Sequence, residues 1–355
     1  MTKIFKNLLV DGQLVDIKIK DGKIIFVGKT EEDGTDVGGL KCFPGLFDVH
    51  THGCIGCDTM DGNNLLKMAD YLAKNGTTSF LPTTMTMSID DIKRVVNIKI
   101  PKTNGAKIYG FHAEGPYVAK KYKGAQNEKF IKNPTIEEFN QLDNVAMVTV
   151  APELDGAMEF IKECKCVVAM GHTDATYDCA TEAIKNGANC ITHTFNAMAP
   201  LNHREPGPIG AAMDNNIYVQ VISDGLHLHK SVVRMLYRLF GVERMVLISD
   251  SMCATGLSDG EYSFGGQPIT VKNGVARTHE GAIAGSTSTL LTCVKKAIEF
   301  GIPEADAFKM ASYTPAKMLG LKKGELKEGY DGEFIAVDGD YNIKMCVIDG
   351  NIIEL

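Results

Sequence analysis

Residues 166–193 read CVVAMGHTDATYDCATEAIKNGANCITH. An apolar run, CVVAM (166–170), is followed by His172 and then by a stretch with apolar residues at i, i+3 and i+4 spacing that ends on Gly187. A second run, NCITH (189–193), also closes on a histidine. Short apolar runs bounded by turn residues read as buried strands, and the periodic stretch between them reads as a helix stopped by glycine. The unit is strand, helix, strand, with an imidazole at the end of each strand. Working outward, the same texture recurs at GLFDV (45–49), TSFLP (78–82), KIYGF (107–111), AMVTV (146–150), IYVQVI (217–222) and RMVLIS (244–249). NNLLKMADYLAKNG and HKSVVRMLYRLFG repeat the helical spacing. Eight such units in about 270 residues predict an α/β fold of the TIM (β/α)8 barrel type. A doubly wound open sheet is the alternative, but it focuses ligands at one switch point, whereas here polar residues follow nearly every strand.

Beyond the repeats the pattern changes. LVDIKIKDGKIIFVGK alternates around Asp21-Gly22, a hairpin signal, and FIAVDGDYNIKMCVIDGNII does the same around Asp338-Gly339 and Asp349-Gly350. Neither half is large enough to be stable alone, so the two are expected to pair into one small β-sandwich domain. The predicted division is 1–43 with 320–355 for that domain and 44–319 for the barrel. A hairpin at Asn273-Gly274 interrupts the last repeat, after which Ser286 or Thr287 is expected to cap the next helix.

The 355 residues are 44% hydrophobic and carry a formal charge of −7, which excludes a diffuse basic surface for nucleic acid or anionic lipid. No membrane span and no signal-length apolar stretch is seen, and ten irregularly spaced cysteines do not make a disulfide scaffold. A reducing cytoplasm is the expectation.

The chemistry lies at the strand ends. His50 and His52 are two residues apart, so an extended backbone points both to one side. Glu114, His172, His193 and Asp250 follow other strands, and barrel closure would bring all of them to one mouth. Neutral imidazole and carboxylate are the usual ligands of a catalytic divalent metal, with Zn, Fe, Mn and Co sharing them. Alone, each histidine reads as a core or surface residue; as a set at one barrel edge they read as a metal site. Asp250 reads as general base and acid beside that site, against the plainer reading of a turn or cap. Asp224 reads as a turn former. Cys54 and Cys57 form a single C-x-x-C, too little for zinc or redox chemistry, and Cys164 and Cys166 read as packing residues. The loop 192–207 offers Asn196, His203 and Arg204; a planar guanidinium suits phosphate, and Arg204 with His227 would supply a local anion clamp in an acidic protein.

The motifs PGLFDVHTHG, GFHAEGPY, MGHTDATYD, THTFNAMAPLNHREPG, ISDGLHLH, LISDSMCATG and IAGS together resemble the N-acetylglucosamine-6-phosphate deacetylases of the amidohydrolase superfamily. The resemblance covers most of 44–290. It implies that Glu114, His172 and His193 are principal metal ligands, that His50 and His52 add a second metal position, and that one or two divalent ions bind per subunit. It implies Asp250 as catalytic acid and base. For the substrate it implies Asn196 and Ala197 on the sugar, Arg204 and His227 near the phosphate, and Ile283, Ala284 and Gly285 as a further substrate loop. Ala125 and Gln126 fall in the loop KKYKGAQNE, where many members carry histidine in place of Gln126. A homodimer that contributes Arg204 across its interface is implied, with a phosphorylated amino sugar as substrate. Alternatives are an N-acetylgalactosamine-6-phosphate deacetylase, another amidohydrolase, and a catalytically silent barrel scaffold. His112, His229 and His279 are left without a role.

Overall fold

A computed structural model describes residues 1–355. Eight parallel strands form the barrel: β1 Leu46–Thr51, β2 Thr77–Thr84, β3 Phe111–Glu114, β4 Val145–Val150, β5 Val167–Met170, β6 Cys190–Ile191, β7 Tyr218–Val221 and β8 Met245–Leu247. Closure comes from the segment after β8. Thr51 bridges Ser251 in parallel register, the Asp250 N–H donates to the His50 carbonyl at 2.9 Å, and the Ser249 N–H donates to the Asp48 carboxylate at 3.3 Å. Inside the barrel, Phe47, Val49, Leu81, Met147, Ala169, Val246 and Ile248 pack together, all buried. Alternate residues of the same strands, such as Leu46, Phe80, Val148 and Leu247, face outward against the surrounding helices.

The helices follow the predicted spacing. Tyr177–Asn186 buries Ala180 and Ala183, is capped by the Thr176 hydroxyl accepting from the Cys179 N–H, and stops at Gly187, whose φ is 124°. Two local expectations shift. The run 107–111 is broken: Lys107–Ile108 pairs with Ser79 and Phe80, and β3 begins only at Phe111. Gly110 makes the turn between them at φ 108°, where a Cβ would lie 2.7 Å from the Asn144 carbonyl oxygen. The helix Leu290–Glu299 is capped by Thr289 rather than by Ser286 or Thr287. Those two hydroxyls are already committed, Ser286 to the Ser249 carbonyl and Thr287 to the Gly274 carbonyl.

Strands from both ends of the chain form one eight-stranded sheet, joined where Phe334–Val337 runs antiparallel to Lys41–Pro44. The sheet rolls back on itself: the Ile24 N–H donates to the Tyr330 carbonyl at 2.9 Å and the Gly332 N–H to the Gly22 carbonyl at 2.8 Å. Its interior holds Phe5, Leu8, Ile17, Ile19, Phe334 and Val347. It meets the barrel floor at a buried ion pair. The Lys323 Nζ lies 3.0 Å from Glu333 Oε2, contacts the Ser79 hydroxyl, and stands 4.4 Å from the centre of the Tyr109 ring. Burial pulls the Lys323 amine below the usual lysine range, whereas Glu333, also opposed by burial, is held below the usual carboxyl range by Lys323 and Lys107. At the opposite end, three short strands, Gly260–Phe264, Gln267–Lys272 and Val275–Thr278, form a separate sheet. Its turn at Asn273-Gly274 is the predicted one, and its core includes Met85, Met252 and Phe264. No helix is long and apolar enough to cross a membrane.

Candidate metal centre and active site

His50 and His52 lie on and just past the end of β1, Glu114 ends β3, His172 and His193 each lie two residues past β5 and β6, and Asp250 lies three past β8. Barrel closure brings the six together. The Nε2 atoms of His172 and His193 are 3.2 and 3.0 Å from Glu114 Oε1 and 3.1 Å from each other. On the other side of Glu114, the His50 and His52 Nε2 atoms are 3.2 Å apart, and His52 Nε2 is 3.3 Å from Glu114 Oε2 and from Asp250 Oδ1. Two three-residue groups therefore share Glu114: His50 and His52 with it, and His172 and His193 with it.

The outer ring nitrogens decide what the inner ones offer. His52 Nδ1 lies 3.1 Å from the Thr83 carbonyl oxygen and His172 Nδ1 2.8 Å from the Tyr122 carbonyl oxygen. A carbonyl oxygen only accepts, so each Nδ1 carries a proton and it is each ring's Nε2 that is turned inward, where it can offer a lone pair to a cation. His50 Nδ1 likewise meets Gln220 Oε1 at 3.0 Å. Lone pairs that converge on one another and on a carboxylate repel unless a positive charge sits among them. Ligands about 2 Å from a tetrahedral metal stand roughly 3.3 Å apart, close to the spacings here. The residues therefore fit a divalent cation. Electrostatics agree: burial opposes charge on His52, yet Asp250 and Glu114 outweigh it and lift the imidazole to about 10. The cluster draws positive charge, which a proton or a metal ion would supply.

Asp250 is buried, which works to raise its pKa, but His50, His52 and His193 hold the carboxyl at about 2. Glu114 is held well below its ordinary range in the same way, by His50 and His172. The backbone is tight at these positions. His172, His193, Phe195, Ala197 and Asp250 have φ of 48°, 25°, 74°, 48° and 50°, the left-handed region that non-glycine residues rarely occupy and that clusters at functional sites.

A cavity of about 390 Å³ opens above this centre. Of the residues singled out in the sequence, His52, Glu114, Ala125, Gln126, His172, His193, Asn196, Ala197, His227, Asp250, Ile283 and Gly285 line it. His50 is wholly buried behind them, and Ala284 is buried with its N–H on the Ala276 carbonyl. His203 and Arg204 are exposed and do not line the cavity of their own chain. Gln126 is buried and faces the centre: its Nε2 donates to Glu114 Oε2 at 2.6 Å, and its Oε1 accepts from the Thr86 N–H at 2.7 Å. Asp224 does form the expected turn, accepting from the Leu226 and His227 N–H groups, and its Oδ2 also holds the His227 ring at 2.8 Å. Burial lowers the His227 pKa, but Asp224 overrides it, so the ring stays protonated to a higher pH than an ordinary histidine. His112, left without a role, is a satisfied core residue between the Val49 carbonyl and the Thr149 hydroxyl. Cys54 and Cys57 are buried in the hydrophobic core and belong to neither ligand group.

Sequence reasoning passed over Lys121, Tyr122, Met85 and Phe264, which also line the cavity. The basic run KKYK beside the Ala125 loop was a usable signal for Lys121. Phe264, whose ring stands edge-on to His52 at 5.0 Å, comes from the separate three-stranded sheet and had none.

The amidohydrolase family model matches residues 42–353. The chain is 37% identical over 347 residues to the N-acetylglucosamine-6-phosphate deacetylase of Vibrio furnissii, covering 92% of this chain and 86% of that one. It is 35% identical over 370 residues to the N-acetylgalactosamine-6-phosphate deacetylase of Escherichia coli O157:H7, covering 97% of each. Among solved structures, a mutant N-acetyl-D-glucosamine-6-phosphate deacetylase from Mycobacterium smegmatis, in complex with N-acetyl-D-glucosamine-6-phosphate, matches with a TM-score of 0.91 at 30% identity, covering 100% of this chain and 99% of that one. From a match that takes in the barrel and the C-terminal strands of the rolled sheet, the chain belongs to the amidohydrolase family, where its relatives include amino-sugar-phosphate deacetylases.

Proposed function

We propose that this protein hydrolyses the acetamide of N-acetyl-D-glucosamine 6-phosphate to D-glucosamine 6-phosphate and acetate. The observation that carries the reading is the convergence of four imidazole Nε2 atoms on the Glu114 carboxylate, beside a deprotonated Asp250, at the base of one cavity. Relatives that act as deacetylases support the choice of bond and of sugar phosphate. Glu114, His172 and His193 would hold one divalent ion, zinc, iron, manganese or cobalt, and His50 and His52 would hold a second around the same carboxylate. When bound, the ion polarises the acetyl carbonyl and acidifies water.

The remaining work falls to the chain's own groups. Asp250, ionised throughout the neutral range, accepts the proton of the attacking water and returns it to the departing amine. Asn196, Ala197 and the backbone of residues 283–285 orient the sugar, and His227, whose proton Asp224 helps to hold, faces the substrate's negative end. Binding energy gathered there fixes the amide over the centre. Residues 44–319 would form the catalytic barrel, with 1–43 and 320–355 as its composite companion, in a cytoplasmic homodimer.

The direct test is acetate release from N-acetylglucosamine 6-phosphate by protein whose metal content has been measured, with the galactosamine epimer as comparator. Turnover that requires the metal and favours the glucosamine epimer is expected. Absence of acetate release by metal-loaded protein overturns the reading, and preference for the other epimer reassigns the substrate.

Arg204 is exposed and does not line its own cavity, and we assign it to the phosphate of a neighbouring protomer's substrate. Arg204→Ala should lose more activity on the phosphorylated than on the unphosphorylated sugar. Mixing it with Asp250→Asn should restore activity, because one site of each mixed dimer then has both groups. No recovery after verified subunit exchange removes Arg204 from that role.

A further inference from the structure

Cys164 and Cys166 lie outside the cavity, at the opposite end of β5 from His172. Cys164 closes the helix Ala157–Glu163, and Cys166 immediately precedes Val167 at the start of the strand. Their Sγ atoms are 3.5 Å apart. The backbone at Cys164 is extended, at φ −62° and ψ 136°, and its N–H is tied to the Phe160 carbonyl at 2.9 Å, so the approach of the two sulfurs is built into the chain path. Both side chains are only partly buried, unlike Cys42, Cys54, Cys57, Cys190, Cys253, Cys293 and Cys346. A cleft of about 340 Å³ lined by Tyr109, Cys166, Leu319 and Leu321 opens beside the pair.

The two thiols are chemically unequal. The hydrogen bond between the two sulfurs, joined by the N–H groups of Cys166 and Lys165 and by the Lys165 ammonium, lowers Cys164 to about 7 in spite of burial. The same contact, with burial, raises Cys166. Elsewhere burial dominates, as at Cys42, pushed up to about 12 in spite of a backbone hydrogen bond at Leu9. A low-lying thiolate next to a protonated partner is the arrangement of an attacking and a resolving cysteine.

We propose that Cys164 and Cys166 form a reversible dithiol–disulfide couple that exchanges with low-molecular-weight disulfides. The Cys164 thiolate attacks one sulfur of a disulfide RSSR, forming a mixed disulfide and releasing RS⁻, which takes up a proton. Cys166 then loses its proton and attacks the Cys164 sulfur, expelling the second RS⁻. The protein dithiol is oxidised by two electrons, RSSR is reduced to two RSH, and side-chain rotation brings the sulfurs to the bonded distance of about 2.05 Å. The couple is independent of the deacetylase reading, since neither cysteine touches the cavity.

The test is to equilibrate the native full-length protein in glutathione buffers of graded GSSG to GSH ratio, quench with acid, alkylate, and analyse by mass the peptide containing both residues. In the wild type this peptide should pass from doubly alkylated to an unalkylated form lighter by two hydrogens, and dithiothreitol should reverse it. Cys166→Ser should stop at one glutathione on Cys164, and Cys164→Ser should form no adduct faster than the other cysteines. A wild-type peptide that stays doubly alkylated at every ratio, or a Cys166→Ser protein that takes up no glutathione at Cys164, overturns the proposal.

Discussion

Asp250→Asn lowers kcat by about 10²–10⁴-fold, the range that general acid–base catalysis contributes, while metal and substrate binding persist. The substitution isolates proton transfer for two structural reasons. Asp250 adopts φ of 50°, a left-handed conformation that asparagine tolerates better than most residues, so the turn after β8 survives. The contact that orders it, the N–H donated to the His50 carbonyl at 2.9 Å, belongs to the backbone and is untouched. What is lost is a carboxyl held at about 2, hence an anion able to take a proton from water at neutral pH. Steady-state acetate release, metal analysis and calorimetric titration with substrate separate these terms. A variant that keeps more than a tenth of wild-type kcat with normal metal content removes Asp250 from the acid–base role.

Glu114→Gln weakens metal retention by more than about 100-fold, beyond the 10–100-fold that changes to groups behind a ligand produce, and it does so for every ion the site holds. Glu114 Oε1 faces His172, His193 and, at 3.4 Å, His50, whereas Oε2 faces His52 and receives the Gln126 amide. One carboxylate therefore serves both histidine pairs, and the isosteric amide removes its charge from both at once. His52→Asn, by contrast, touches one pair only. Metal per chain after desalting, measured for the two variants side by side, checks the distinction. Equal partial losses in both would show that the pairs bind independently of Glu114.

Much of this was legible in the sequence because it depends on local order. Apolar runs with a polar residue past each end follow from strand burial, and closure of eight such units leaves the ends one place to meet. That is why His50, His52, Glu114, His172, His193 and Asp250 group together from the order of the sequence alone. Illegible features depend on paths between distant segments. The placement of Gln126 against Glu114 needs the loop after β3 to fold back onto the Thr86 N–H. Phe264 reaches His52 only through a sheet inserted about 200 residues later, and the outward position of Arg204 depends on how its loop leaves the mouth. Ser286 and Thr287 looked like helix caps until partners remote in sequence claimed their hydroxyls. Cys164 and Cys166 read as packing residues because spacing alone does not report how close two sulfurs come.

The sheet shared by the two ends of the chain bears on how the molecule is made. Lys23 contacts Asp331 across a separation of 308 residues, and the strand that completes the sheet beside Lys41–Pro44 begins only at Phe334. During synthesis the first hairpins emerge without their partner strand, and their apolar faces, including Phe5 and Ile17, stay uncovered while the whole barrel is translated. Pairings of such long range close late and slowly, since the loop they complete must be ordered first. The two ends are therefore the last part of the fold to lock, and the interval before they do is when a nascent chain most needs protection from self-association.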